Sequence, residues 1–222
     1  HGERMRMYGD IMREIADRSI DAWPVEQSFP IHERMQGITL DIILRTVCGV
    51  DEGPLLQKLR SLLIEFLKLA GGSPLLLIRW LQINLGPLTA WKRMGELSQE
   101  IDRVLYEQIA QRKVAQQNER ADIMAMLVEA RDEDGQPMSD QELRDEMITM
   151  LLAGHETTAT SLSWVVHRLL QHPDVLEKSR AELQRVIGDD PIHAEHVSEL
   201  EYLDAVIKET ARLNPIVPLV AR

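Results

Sequence analysis

The sequence predicts a mainly α-helical protein, and three observations carry that prediction. Apolar residues return every three or four positions through most of the 222 residues, the pattern of helices buried along one face. Regular alternation of apolar and polar residues, which a half-buried strand would show, is almost missing. The stretch from Ser139 to Gln171 also runs free of proline until Pro173. At about 1.5 Å per residue it is long enough for a rod of roughly 50 Å. Ser139 and Glu142 have the spacing of a capping box, which places the start of that rod.

Taken in order, Tyr8 to Ala22 carries Ile11, Ile15, Ala16 and Ser19 at helical spacing and stops at Trp23-Pro24. Phe29-Pro30 is a connector. Met35 to Val47 is apolar nearly all round, which predicts burial, and Gly49 and Gly53-Pro54 separate it from an amphipathic helix over Pro54 to Leu69. Gly71-Gly72-Ser73-Pro74 is a clear break. Leu75 to Leu85 is an apolar run too short for a bilayer, read either as an ordinary packed helix or as a lid over a greasy pocket. A long helix follows over Leu88 to Gln117, then a short one over Asp122 to Arg131. After the rod, His172-Pro173 makes a sharp stop. Val175 to Ile187 is amphipathic, Gly188 to Pro191 is a turn, and a last helix over Glu201 to Leu213 closes at Asn214-Pro215. The proline-punctuated tail Ile216 to Arg222 suits a short edge strand.

Composition narrows the function. With 44% apolar residues the chain can bury a real core. Its 36 acidic and 25 basic residues give a net charge of −11, against the basic stripes that nucleic-acid binding needs. No stretch of 18 apolar residues and no signal peptide appears, so the expected location is cytoplasmic with no membrane span. The single cysteine, Cys48, sits at an apolar helix end without an acid-base partner nearby and is read as core. The first residues look like the middle of a helix and include no initiator methionine, so the chain is expected to be part of a longer one.

The middle of the rod is chemically unusual. Ala153-Gly154-His155-Glu156-Thr157-Thr158 places two tiny residues, an acid and two hydroxyls where an interior helix normally carries leucines. Gly154 costs close to 1 kcal/mol of helix stability relative to alanine. Small side chains let a flat ligand approach, and the Thr157 hydroxyl can compete for the Ala153 carbonyl and loosen the helix. The plainer reading, equally open on these residues alone, is a packing notch with a partly exposed Glu156. A zinc-protease reading of His155-Glu156 fails because Ala159 stands where the second histidine is required. Asp132 to Gly135 fails the calcium-loop pattern, since Ala130 and Gln141 fall on its first and last ligand positions. Glu209 and Arg212 are three apart on the final helix and can pair, which alone means little.

Together, the Ala153 to Thr158 motif, the Leu203 to Arg212 segment with its Glu209-Thr210-Ala211-Arg212 and the intervening His172-Pro173 resemble the cytochrome P450 haem-thiolate monooxygenases, best in their soluble bacterial form. The resemblance covers most of the chain and implies the helical core of that fold, with the rod as its central helix and a short edge strand at the end. In that role Ala153 and Gly154 would let haem and dioxygen come close. Glu156 and Thr157 would be the catalytic acid-alcohol pair, Thr157 donating a hydrogen bond to bound dioxygen and Glu156 relaying protons through water. Glu209 and Arg212 would be a buried structural ion pair, Arg222 would bind a haem propionate, and Leu75 to Leu85 would belong to the substrate lid. The implied cofactor is haem, with reducing equivalents from NAD(P)H through a ferredoxin or flavoprotein reductase, and the implied substrate a small apolar molecule.

The sequence departs from the family in one large respect. The axial cysteine loop of the family lies beyond its final helix, and Cys48 stands in the wrong helix and the wrong motif to replace it. Residues 1–222 are therefore expected to form a partial P450 domain, its middle portion, inactive alone. The competing class is a non-catalytic helical module that binds an apolar ligand or a partner helix. It offers no reason for the Glu209/Arg212 motif.

Overall fold

The structure, a computed structural model, describes residues 2–50, 53–71, 90–114 and 122–217. Its elements are α1 (Gly2–Asp21), α2 (Ile31–Cys48), α3 (Pro54–Gly71), α4 (Ala90–Val114), α5 (Ile123–Glu129), α6 (Asp140–Gln171), α7 (Pro173–Val186), a 3-10 helix (Ala194–Glu199) and α8 (Glu201–Leu213). Among the described residues no strand forms, only an isolated antiparallel bridge between Arg131 and Pro137. The expected lid at Leu75 to Leu85 and most of the expected edge strand, Arg222 included, lie outside the described residues. The 3-10 helix is an element that the periodicity did not predict.

The chain divides into two compact units, residues 1–43 with 151–222, and residues 44–150. In the first unit, α1, α2 and α6 meet around Ile15, Met35, Ile38 and Ala159, with Ile11, Trp23, Ile42 and Val166 packed against them. The 3-10 helix lies against α1 so closely that a Cβ on Gly9 would stand 3.1 Å from Ala194 Cβ. α8 packs on α7. The N-cap residue of α8, Leu200, has no side-chain acceptor to offer its first turn. Glu182 of α7 supplies one instead, Oε1 accepting from the Tyr202 amide at 2.8 Å and Oε2 from the Leu203 amide at 2.9 Å. A buried carboxylate thus satisfies two donors left open by the helix start and sits at the positive end of its dipole.

In the second unit α4 packs on α3 and α5. The buried residues recur at helical spacing: Leu56, Leu59 and Leu63 on α3, Leu97, Ile101, Leu105 and Ile109 on α4, Leu143 and Met147 on α6. The end of α2 is fastened by a polar cluster. Arg112 Nη1 lies 3.1 Å from Asp122 Oδ2, with both side chains under one-tenth exposed, and Arg112 Nη2 donates to the Cys48 carbonyl at 3.1 Å. Asp122 also caps α5, its Oδ1 accepting from the Ala125 amide at 2.9 Å. Gly49 turns the chain there with φ +60°, and a Cβ on it would stand 2.6 Å from Arg112 Nη2. That left-handed conformation and the absence of a side chain are both required.

The rod forms as expected. Ser139 Oγ accepts from the Glu142 amide at 3.2 Å, and Glu142 Oε2 accepts from the Ser139 amide at 2.8 Å, completing the capping box. The Ser139 amide and the Ser139 hydroxyl, which also donates to Oε2 at 2.8 Å, hold the Glu142 carboxyl below its ordinary range. α6 then continues for 32 residues, a little under 50 Å. The acidic turn is closed by Asp132, whose Oδ1 accepts from the Asp134 and Gln136 amides at 3.0 and 2.7 Å, with Gly135 at φ +77°.

Candidate functional site

The unusual stretch of α6 presents two different faces. Ala153 and Thr157, one turn apart, are exposed on the same side of the helix. Thr157 Oγ1 donates back to the Ala153 carbonyl at 2.6 Å, as the spacing predicted. The expected loosening does not follow, because the helix keeps its α form through these residues. The bond leaves the lone pairs of the hydroxyl oxygen free for a partner on the open side.

Gly154 faces elsewhere. A Cβ on it would stand 2.5 Å from Ile43 Cδ1 of α2, so the glycine makes room for an isoleucine. The notch at Gly154 is a packing notch between helices, and of the two small residues only Ala153 keeps an open face toward which a flat cofactor can move.

His155 is buried, and burial pushes its imidazole below the ordinary histidine range, against the opposing effect of the nearby Glu156 carboxylate. Its Nδ1 lies 3.0 Å from Thr39 Oγ1, which also reaches the His155 carbonyl at 3.2 Å and the Met35 carbonyl at 2.9 Å. A neutral ring suits this position, since it needs one donor or acceptor at Nδ1 and carries no charge into the core.

The Glu156 side chain is 44% exposed and reaches toward α2. Its Oε2 accepts a hydrogen bond from Gln36 Nε2 at 2.8 Å, its Oε1 stands 3.4 Å from His32 Nε2, and His155 Nε2 is 3.9 Å from Oε2. His32 Nε2 is also 3.3 Å from Thr160 Oγ1. His32, Gln36 and Thr39 thus form a polar stripe along one side of α2 that meets Glu156, Thr160 and His155. Sequence reasoning missed this stripe. The signal was present as three polar residues at spacings of four and three, Gln36 and Thr39 in a helix read as apolar nearly all round and His32 just ahead of its expected start at Met35.

The other expected site residues fare unequally. Glu209 and Arg212 pair in a fork, Nε to Oε2 and Nη2 to Oε1 both at 2.7 Å. The bonds to Arg212 lower the Glu209 pKa and those to Glu209 raise that of Arg212. The two side chains are 55% and 68% exposed, so the pair forms on an open face of α8, in contrast to the buried setting expected for it. Arg222 lies outside the described residues. Cys48 is fully buried, and its thiol is pushed up to about 12, chiefly by desolvation and then by Asp122. It remains a thiol at neutral pH, as a core residue should, and at 0% exposure its sulfur is closed to an outside ligand.

Fit to haem can be judged from these positions. An exposed alanine and threonine on one turn give a flat ring a low surface and one hydroxyl to meet, and neither side chain is engaged by α2. Gly154, Glu156 and His155 are turned to α2 and offer no cradle. Among the described residues no cluster of three or more His, Cys, Asp or Glu side chains can hold a metal ion, and no helix is long and apolar enough to cross a membrane.

Comparison with known proteins agrees with the helical layout. The family model described as cytochrome P450 matches residues 1–222. Cytochrome P450 135B1 of Mycobacterium tuberculosis is 38% identical over 223 aligned residues, covering 100% of this chain and 45% of that protein. Cytochrome P450 137 of the same species is 36% identical, covering 100% and 44%. Among solved structures, a retinoic acid-bound cyanobacterial CYP120A1 superposes with a TM-score of 0.78 at 24% identity, over 97% of this chain and 46% of that one. The haem domain of cytochrome P450DA gives 0.74 at 24% identity, over 94% and 46%. The chain spans about half the length of the curated relatives it matches.

Proposed function

The chain belongs to the cytochrome P450 family, and from that premise we propose that it is part of a haem-dependent monooxygenase that hydroxylates an apolar organic substrate. The observation that carries the reading is the open turn of α6, where Ala153 and Thr157 leave a low, hydroxyl-bearing surface beside an acid. Haem, when bound, supplies the activation of dioxygen, one atom entering a C–H bond and the other leaving as water for two electrons and two protons. The electrons come from NAD(P)H through a ferredoxin or flavoprotein reductase, and the working location is the cytoplasm.

The chain's own contribution is positional and protonic. Ala153 admits the cofactor to the helix surface. Thr157 offers its hydroxyl on that side, either accepting from water or, on releasing the Ala153 carbonyl, donating. Glu156 moves protons from solvent. Successive side chains on a helix are turned about 100° apart, so Glu156 and Thr157 do not meet directly and the relay between them crosses water. From their open face of α8, Glu209 and Arg212 would tie the last helix to a further segment, and Arg222 would bind a propionate. Residues 1–222 act as a partial P450 domain that binds no haem as thiolate alone, because Cys48 is sealed in the core.

Two spectra test this. The complete protein, reduced and saturated with CO, is expected to show the red-shifted Soret band of a thiolate-ligated haem, and the 222-residue chain alone is not. The same band from the chain alone would overturn the account of Cys48, and its absence from the complete protein would overturn the enzyme reading.

A further inference from the structure

The polar contacts of Glu156 are made with the stripe on α2. Gln36 Nε2 donates to Oε2 at 2.8 Å, the length of a sound hydrogen bond to an anion, while His32 stands at the other oxygen at 3.4 Å. The geometry behind Gln36 is firm. On either side of it along α2, Met35 and Ile38 are buried in the core of the unit, and Thr39, close to one turn on, is joined to His155 by contacts at 3.0 and 3.2 Å. The amide of Gln36 is therefore delivered to the acid by a helix whose register against α6 is fixed at the neighbouring residue. Thr157 points to the open side and bonds within its own helix.

We propose that Gln36 is a positioning residue that holds the Glu156 carboxylate on the α2 side of α6, so that the acid serves the Thr157 side only when the Gln36 bond is broken. The inference rests on the relay reading of Glu156 given above. No covalent change occurs at Gln36. The carboxylate takes a proton from water and returns it to water, and the amide hydrogen stays on its nitrogen. An amide does not titrate, so the donor of the hold is the same at every pH. Breaking it frees one oxygen and lets the acid swing between the two faces. His32 contributes a weaker second contact at the outer oxygen, at a distance that suits steering more than holding.

The test uses the complete protein in four forms, wild type, Q36L, E156Q and the double variant, with T157A as a control for the relay. Two quantities are read: the unfolding midpoint, and the ratio of hydroxylated product to hydrogen peroxide released per electron pair. The expected result is that midpoint losses of the single variants fail to add in the double, and that Q36L raises the product-to-peroxide ratio at least twofold, with no such rise in the E156Q background. Additive midpoints, an equal change in both backgrounds, or a ratio that Q36L lowers or leaves unchanged would overturn the proposal. If T157A depresses the ratio while Q36L has no effect, the hold is refuted and the relay stands. If T157A also leaves the ratio unchanged, the relay reading itself falls and takes the hold with it.

Discussion

Ile43 occupies the place that a side chain on Gly154 would need, its Cδ1 2.5 Å from where the Cβ would be. Gly154→Ala therefore pits a helix-propensity gain of about 1 kcal/mol against the displacement of Ile43. In the wild-type background the variant is expected to be neutral or slightly destabilising. Ile43→Val removes the Cδ1 atom, and in that background Gly154→Ala should stabilise by about 1 kcal/mol in urea unfolding. The same small effect in both backgrounds would refute the packing account.

The pair Arg112 and Asp122 is buried, so removing one partner strands the other. Arg112→Met is expected to cost roughly 3–5 kcal/mol, because Asp122 is then a buried charge without a counter-ion. Adding Asp122→Ser removes the charge and keeps an oxygen to cap α5, so the double variant should be more stable than Arg112→Met alone. Gly49→Ala should cost at least about 2 kcal/mol, from the φ of +60° and the crowding against this pair. Chemical denaturation curves decide each case.

Glu182 accepts from two amides of the first turn of α8. Glu182→Ala is expected to destabilise by about 1–2 kcal/mol, since two part-buried donors lose a charged acceptor. Glu182→Gln keeps one acceptor oxygen and should cost clearly less. Equal losses for the two would mean that the side chain acts by packing alone.

Burial lowers the pKa of His155 in the folded chain, so the unfolded chain binds its proton more readily. Stability from this residue is complete above the unfolded value, about 6.5, and declines as pH falls from there toward the folded value. Denaturation midpoints at pH 7.5 and 5.5 should therefore differ more for the wild type than for His155→Gln, which cannot take up a proton. A variant with the same pH slope would exclude His155 as a source of it.

Periodic elements were legible in the sequence because a buried helical face repeats every three or four residues, as at Leu97, Ile101, Leu105 and Ile109. Local chemistry was legible too: the Ser139 and Glu142 box, the Thr157 bond to Ala153 and the Glu209 fork to Arg212 each join residues three or four apart. Contacts between distant segments were not. Nothing in the α6 sequence says that Gly154 answers to Ile43, or that Glu156 turns to Gln36, because both depend on how α2 is set against α6. The exposure of the Glu209 and Arg212 pair depends equally on what packs beside α8.

The cap that Glu182 places on α8 makes that helix a borrower. Its 13 residues, Glu201 to Leu213, lie near the lower limit at which a helix persists unaided in water, and the acceptor for its opening turn belongs to another segment. A synthetic peptide of those residues should be mostly coil by circular dichroism, and should wind only when covalently continuous with α7. The Glu209-Thr210-Ala211-Arg212 motif therefore owes its shape to a residue outside the motif.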